Sequence, residues 1–339
     1  MKKIILLICC VFLLSGCYDY KELNDMSIVS GIGIDYKDGE YSVSLEITKS
    51  TKDGTSAEIE TYLVTGEADN IADAFTTAKN RSDKLVYMEH VEVLVLSKEL
   101  CERGINEVID YIIRDTTINN NYFIVVTDKP SELLKINIEN QSTAEVIINT
   151  VEYYFENTTI DDVDIIASNM VNKQEDIALP YIYMKEENVI FDKIAYFNDD
   201  KMVGLIDSKM YNFLELDSIN VNFNNNGNTI GIYKKDIGYE VKNKEVIIKV
   251  KTYGTVKEIN DEINLKNTDS YGKLEKTIGK TMEKEITEFI DNTLDNKSDL
   301  LGLEDKYYKK YKKDMENIKY KVEVELIVNR NGTIYGGVK

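Results

Sequence analysis

Alternation of apolar and polar residues marks two of the β-strands in this chain. The apolar side chains fall at every second position in each: Tyr41, Val43, Leu45 and Ile47 in the first, and Tyr320, Val322, Val324, Leu326 and Val328 in the second. A period of two places such side chains on one face of a sheet. Three further segments, residues 27–35, 91–96 and 122–127, are almost continuously apolar, which predicts strands buried on both faces.

A period near 3.6 residues predicts helices between the strands. In residues 70–83, the side chains of Ile71, Ala74, Phe75 and Ala78 lie on one helical face. Ser142 and Glu145 have the spacing of a capping box, which predicts a helix start there. Other helices are predicted over residues 105–113, 163–172, 208–214, 278–294 and 300–318.

Turn signals separate these elements. Hairpins are predicted around Asp38-Gly39, Asn198-Asp199-Asp200 and Lys242-Asn243-Lys244. Residues 50–57 are interpreted as a polar loop before another short strand at 58–65, and the amide-rich residues 222–228 as a break between domains.

The pattern predicts an α+β or α/β fold with three domains, each a β-sheet flanked by α-helices. The predicted bounds are a signal peptide at 1–16, an N-terminal α/β domain at 17–129, a middle α/β domain at 130–221 and a C-terminal α/β domain at 222–339.

The first residues have the pattern of a secretory signal. Lys2 and Lys3 precede eleven apolar residues at 4–14, too few for a membrane-spanning helix of about 20. The sequence Leu14-Ser15-Gly16-Cys17 resembles the bacterial lipobox. That resemblance implies cleavage between Gly16 and Cys17 and a diacylglycerol on the Cys17 thiol. An ordinary signal peptide with a cysteine nearby and an uncleaved anchor remain alternatives.

Charge excludes some partners. The formal net charge is −19, and loss of Lys2 and Lys3 with the signal makes it −21. Such a surface repels nucleic acid and anionic lipid headgroups, so we predict no nucleic acid partner and membrane attachment through the lipid alone. The one basic cluster, residues 307–313 with four lysines, could bind an acidic partner or lipid headgroups, or be a solvated helix face.

Candidate chemistry is sparse. After loss of Cys9 and Cys10 with the signal and acylation of Cys17, Cys101 is the remaining thiol, which predicts no intramolecular disulfide and favours a small core residue over a reactive thiol. Gly31 and Gly33 lack the third glycine of a dinucleotide-binding loop. No catalytic motif or zinc-ligand set is present, so we expect no catalytic residues, cofactor or metal and a protein that is not an enzyme.

The order of several short motifs resembles the Ger(x)C lipoproteins, the C subunits of spore germinant receptors. The matching segments are Gly16-Cys17-Tyr18-Asp19 with Glu22-Leu23-Asn24-Asp25, Gly31-Ile32-Gly33-Ile34-Asp35, Lys84-Leu85-Val86-Tyr87 with His90, Gly104-Ile105, Arg114-Asp115, and Ala195-Tyr196-Phe197 to Met202-Val203-Gly204. The chain departs from the family at Tyr18, where a Trp is usual, and at Asp299-Leu300-Leu301-Gly302 and Tyr307-Tyr308, which stand where a glycine-rich and Trp-containing stretch is expected.

The resemblance implies a non-catalytic lipoprotein on the outer face of the spore inner membrane. It would assemble with the integral-membrane A and B subunits of a nutrient receptor that triggers germination. The alternative from another class is a solute-binding lipoprotein that delivers a small molecule to a transporter. The unlike thirds of this chain argue against it, because such proteins have two similar lobes. An anchored hydrolase, a third possibility, lacks a nucleophile or a metal constellation.

Overall fold

The computed structural model describes residues 26–53, 56–136, 140–154, 163–172, 175–186, 188–215, 221–260, 268–314 and 317–329. It has an α+β fold in which helices flank two β-sheets.

The first sheet has nine strands, in the order β3-β2-β1-β5-β6-β7-β8-β9, with β4 also paired to β1. β1, β4, β5, β6 and β7 are joined in parallel, while both flanks of the sheet are antiparallel hairpins. The strands are β1 Met26–Lys37, β2 Glu40–Asp53, β3 Ser56–Ala68, β4 Leu85–Tyr87, β5 Val93–Ser97, β6 Phe123–Thr127, β7 Ala178–Lys185, β8 Asn188–Asn198 and β9 Lys201–Asp207.

The second sheet has four strands in chain order: β10 Asn222–Asn225, β11 Asn228–Lys242, β12 Glu245–Glu258 and β13 Tyr320–Val328. β10, β11 and β12 form antiparallel pairs, whereas β13 returns parallel to β12. A parallel return needs a crossover, and here two helices supply it.

Nine helices are found in the described part of the chain. They are α1 Ile71–Asn80, α2 Lys98–Arg103, α3 Asn106–Arg114, α4 Pro130–Leu133, α5 Thr143–Tyr154, α6 Val163–Asn172, α7 Ser208–Leu214, α8 Thr268–Asp295 and α9 Leu303–Tyr311. Helices α8 and α9 form the crossover between β12 and β13.

The core has two parts, one on each face of the first sheet. Strand β5 contributes to both, because Leu94 and Leu96 pack with α1, α2, α3 and α6, whereas Val93 and Val95 point to the opposite face. That opposite face packs with α4, α5 and α7, and its apolar cluster continues without interruption into the second sheet, α8 and α9. The continuously apolar sequence of β5 therefore reflects burial on both faces, as predicted.

Most predicted elements are confirmed, including all three hairpin turns, the helices α6 and α7 with their predicted bounds, and the buried face of α1. The predicted loop at 50–57 is wrong, because β2 and β3 continue their ladder as far as the pair Asp53↔Ser56. Polar side chains there hid a long hairpin from the apolar pattern. The helix predicted over 300–318 is shorter, since α9 ends at Tyr311 with Lys312 in a left-handed conformation.

Residues 222–228 are not a structureless break but β10 and its turn into β11, with Phe223 fully buried. Across the predicted boundary at residues 129 and 130, β6 and β7 share a single ladder pair, Val126↔Tyr181. The first sheet therefore contains strands from both sides of the predicted boundary, but few backbone hydrogen bonds connect β6 to β7. The three domain ranges stay a prediction.

Gly66 in β3 lies directly beneath α1. A Cβ atom at this position would be 2.2 Å from the Ala78 nitrogen and 2.3 Å from the Ala74 oxygen, and helix backbone cannot yield as a side chain can. We expect Gly66→Ala to lower the free energy of unfolding by about 2 kcal/mol or more through overpacking. Urea denaturation followed by circular dichroism measures this change.

Gly238 in β11 is the matched control, because no atom lies within 4 Å of its added Cβ. Gly238→Ala should leave the free energy of unfolding unchanged or raise it by up to about 1 kcal/mol. Equal losses of stability in the two variants would show that helix–strand proximity at Gly66 is not the cause.

Candidate functional site

Gly16 and Cys17, the predicted cleavage and lipid-attachment residues, lie outside the described residues. Among the residues that are described, no helix is both long and apolar enough to cross a membrane. The lipid anchor therefore stays a prediction.

The glycines of the Gly31-Ile32-Gly33 motif allow α4 to pack closely on β1. A Cβ at Gly33 would be 2.9 Å from Pro130 Cβ, and one at Gly31 would be 3.1 Å from the Leu134 side chain. Because protein side chains fill the space beside both glycines, this motif serves packing rather than nucleotide binding.

Beside these glycines, the fully buried Glu46 of β2 holds the start of α5. Its carboxylate accepts hydrogen bonds from the backbone nitrogens of Thr143 (2.7 Å) and Ala144 (3.1 Å) and from the hydroxyl of Ser30 (2.9 Å). A carboxylate at a helix N-terminus meets unpaired N–H groups and the positive end of the helix dipole. Glu46 thus joins the first hairpin to the helix that begins beyond residue 130. The predicted capping box is present in part, since the Glu145 nitrogen donates to the Ser142 hydroxyl at 3.0 Å.

Two other motifs meet at the β8–β9 hairpin. The Ile105 nitrogen donates to the Asp200 carbonyl at 3.0 Å, and a Cβ on Gly104, whose φ is +130°, would be 2.6 Å from the Asp200 carboxylate. Within the hairpin, Gly204 pairs with Tyr196, whose ring lies where a Cβ would be. The Gly104-Ile105 motif and the hairpin that contains Tyr196 and Gly204 are far apart in sequence but contact each other in the fold.

Two aspartates connect the other side of the same hairpin to the start of α9. The Asp176 carboxylate accepts from the Asp199 nitrogen at 3.1 Å and from the Asp299 nitrogen at 2.7 Å. In return, the Asp176 nitrogen donates to the Asp299 carbonyl at 3.2 Å. Asp299 in turn caps α9, because its carboxylate accepts from the Glu304 nitrogen at 2.8 Å.

Further carboxylates surround this pair. Glu175 lies next to Asp176, and Glu215, directly after α7, accepts from the Tyr239 hydroxyl of β11 at 3.1 Å. We call Glu175, Asp176, Glu215 and Asp299 the acidic junction. The ammonium of Lys306 faces the junction, lies 4.3 Å from the centre of the Tyr239 ring and donates to the Leu301 carbonyl.

Burial raises the pKa of all four carboxyls of the acidic junction. For Glu175, Glu215 and Asp299, the positive charge of Lys306 opposes this effect, and for Asp176 and Asp299 so do backbone hydrogen bonds. Burial also raises the pKa of Tyr239, with the nearby Glu215 acting in the same direction. The four carboxyls of the junction therefore lie close together near the ammonium of Lys306, with that of Lys235 also acting on Glu215, and protonation of a carboxyl relieves its burial as a charge.

No catalytic arrangement is apparent in the residues that the structure describes. They contain no group of three or more His, Cys, Asp or Glu side chains that could hold a metal ion. Cys101 is fully buried and its pKa is raised by burial, which makes it an inert core thiol, as the sequence favoured. His90 is on the surface, with its ring edge against Tyr87 at 5.6 Å between centroids.

The predicted basic cluster at 307–313 has partners within the chain. Lys309 pairs with Asp305 at 2.7 Å, and Lys310 donates to the Val241 carbonyl. A stronger basic surface lies on α8, where Lys273, Lys276, Lys280 and Lys284 line two adjoining hollows of about 150 and 380 Å³ beside Asn225. The helical spacing of these lysines, in steps of three and four residues, was visible in the sequence, but interleaved acidic and apolar residues concealed it.

The acidic junction generates a prediction about pH. A carboxyl whose folded pKa is raised binds protons more readily in the folded state, so its contribution to stability is present at low pH and lost as the pH rises through the folded value. We expect wild-type protein to have a larger free energy of unfolding at about pH 5 than at about pH 7.5. Both pH values lie above the ordinary carboxyl pKa of about 4, so between them the difference comes from carboxyls whose pKa is raised in the folded state. Glu215→Gln, which can keep the hydrogen bond from Tyr239, should reduce this difference.

Glu240→Gln is the control, because it removes the same charge from β11 outside the junction. Glu240 is exposed, and the ammonium of Lys249 lowers its pKa, so the acid stabilisation should remain in this variant. Urea denaturation at both pH values compares the three proteins. If the two variants lose the pH difference equally, general charge repulsion is responsible rather than the junction.

Comparisons with known proteins agree with the fold. The structure is similar to the crystal structure of the GerBC protein, with a TM-score of 0.53 and 15% identity, covering 91% of this chain and 99% of that one. Spore germination protein KC of Bacillus subtilis is 23% identical over 93% of this chain and 89% of its own length. Spore germination protein GerQC of Bacillus cereus is 24% identical over 89% of each chain.

Two family descriptions match nearly the whole chain. Residues 19–184 match the spore germination protein N-terminal domain, and residues 192–332 match the C-terminal domain described as spore germination B3/GerAC like. The chain therefore belongs to the Ger(x)C family of spore germination proteins.

Proposed function

We propose that this protein is the non-catalytic, lipid-anchored C subunit of a nutrient germinant receptor and that it helps to trigger spore germination. The observation that carries the proposal is the family match over residues 19–184 and 192–332, which begins two residues after Cys17. In this proposal the lipid on Cys17 holds the chain on the outer face of the spore inner membrane. Integral-membrane A and B subunits are its partners.

The length between Cys17 and the first strand supports a position close to the membrane. Residues 17–25 separate the proposed anchor from β1, which begins at Met26. Nine residues span at most about 30 Å when fully extended. The start of the first sheet would therefore stay within reach of subunits embedded in the same membrane.

The acidic junction supports a structural role rather than catalysis. Asp176 and Asp299 accept backbone hydrogen bonds, and Glu215 accepts from Tyr239, so each of these carboxylates already has a structural partner. A general acid or base needs access to a substrate proton. These groups instead connect β8–β9, α9 and β11.

Cys17→Ala tests the anchor directly. Two acyl chains give stable membrane attachment where one is marginal, and an acidic body cannot replace that contribution electrostatically. We expect the variant to take up no clickable fatty acid label in cells, to keep the melting temperature of the wild-type body, and to leave spores unresponsive to nutrient. In-gel fluorescence, thermal melting and a germination assay measure these three outcomes.

Cys101→Ala is the matched control, because that thiol is fully buried in the core. It should keep the wild-type label. Affinity purification of the tagged wild-type protein from spore membranes should recover the A and B subunits. An unlabelled wild-type protein would contradict the anchor, and tight saturable binding of one amino acid or sugar by the isolated protein would favour a solute-binding lipoprotein instead.

A further inference from the structure

The solvent face of α8 carries two blocks of opposite charge. Lys276, Lys280 and Lys284 occupy the first block, and Glu288, Asp291 and Asp295 occupy the last turns of the helix. All six side chains are exposed, and steps of three and four residues keep them on one side of the helix. We call these six residues the α8 charged face.

Helix stability does not explain this order. The negative end of the helix dipole is at the C-terminus, where lysines are favourable and carboxylates are not. Here the last turn contains no basic residue, while Asp291 and Asp295 lie near that end. Because this arrangement opposes the helix dipole, an interaction of the charged side chains with another molecule is a better explanation of it than helix stability.

Contacts among the described residues leave two of the three lysines in the basic block without an ion pair. In the described part of the chain, Lys276 and Lys280 form no ion pair, whereas Lys284 lies 3.3 Å from Glu288. The hollows beside Lys276 and Lys280 are bordered by Asn225, Thr277 and Thr281. On the acidic side, Asp291 accepts from the Tyr320 hydroxyl, which leaves its second carboxylate oxygen able to accept another bond.

The two blocks are complementary to each other when two copies of α8 are antiparallel. With a two-fold axis passing near residue 286, Lys276 faces Asp295, Lys280 faces Asp291, and Lys284 faces Glu288 of the second copy. The spacings agree, because the three lysines extend over about 12 Å of helix and the three acids over about 10.5 Å at a rise of 1.5 Å per residue. The symmetry repeats each pair, as in any isologous interface.

From this complementarity we infer that the α8 charged face pairs with the same face of a second copy of this protein. One exposed ion pair changes an equilibrium by less than about fivefold, so six pairs make a weak, salt-sensitive contact in solution. Anchoring both copies to one membrane raises their effective concentration to the order of mM, where weak contacts are occupied. In that respect the inference rests on the proposed lipid anchor.

Zero-length cross-linking of lysine to carboxylate tests the pairing. Lys276 and Asp295 of one copy are about 28 Å apart along the same helix, so a cross-link between them can form only between copies. Full mature protein, a mixture of isotope-labelled and unlabelled chains, is attached to neutral phosphatidylcholine vesicles through its own lipid. Mass spectrometry should detect Lys276–Asp295 and Lys280–Asp291 peptides containing one labelled and one unlabelled partner.

Charge reversal provides matched variants. One variant carries Lys276→Glu and Lys280→Glu, and the other carries Asp291→Lys and Asp295→Lys. Each variant alone should lose the mixed-isotope cross-link between Lys284 and Glu288, two groups that both variants keep, about tenfold or more, because four of the six pairs become repulsive. Mixing the two variants restores opposite charges and should restore cross-links at the substituted positions. Melting temperatures, measured because Asp291 also binds Tyr320, confirm that each variant is folded.

Absence of mixed-isotope cross-links in the wild-type protein would overturn the inference, as would a failure of the mixed variants to regain them. Binding of the lysine block to vesicles with phosphatidylglycerol, at the expense of the cross-links, would assign this face to lipid headgroups instead. A Cys17→Ala protein held by an N-terminal His-tag on nickel-lipid vesicles separates the two proposals. Cross-links there support the pairing even if Cys17 proves not to be acylated.

Discussion

The mutual contact of Asp176 and Asp299 is the polar constraint that fixes the β8–β9 hairpin against the start of α9, beside the apolar cluster that joins the two sheets. Each residue donates its backbone N–H to the other, to a carboxylate in one direction and to a carbonyl in the other. The same Asp176 carboxylate holds the β8–β9 turn, and the same Asp299 carboxylate starts α9. A change at either residue would therefore affect the β8–β9 turn of the first sheet and the crossover helix α9 together.

Such a contact is costly in a chain with a net charge of −19. Carboxylates lose hydration on burial, and like charges nearby add repulsion. Backbone N–H groups offset this cost at Asp176 and Asp299, as the N-terminus of α5 does at Glu46. In each case a carboxylate side chain accepts hydrogen bonds from backbone N–H groups that would otherwise lack a partner. Apolar packing cannot supply such acceptors.

Local patterns in the sequence predicted most of the elements but not the contacts between them. Alternation located β2, a continuous apolar run located β5, and helical periodicity located α1 and α6, because burial on one or two faces leaves a direct trace in residue type. The hairpin at residues 50–57 and β10 were missed, since strand segments composed mostly of polar residues carry no such trace. The Glu46 and Asp176 contacts were not predictable either, because an acidic chain offers many carboxylates and their partners are distant in sequence.

The family motifs acquire a physical meaning from these contacts. Gly31 and Gly33 admit α4, Gly104 makes room for the Asp200 turn, and Gly204 makes room for the Tyr196 ring. Each glycine lies where another element crosses closely, so these motifs preserve the relative placement of elements rather than a reactive group. The β8–β9 hairpin is where several of these placements meet, because its turn contacts Gly104 and Ile105 directly and reaches Asp299 through Asp176.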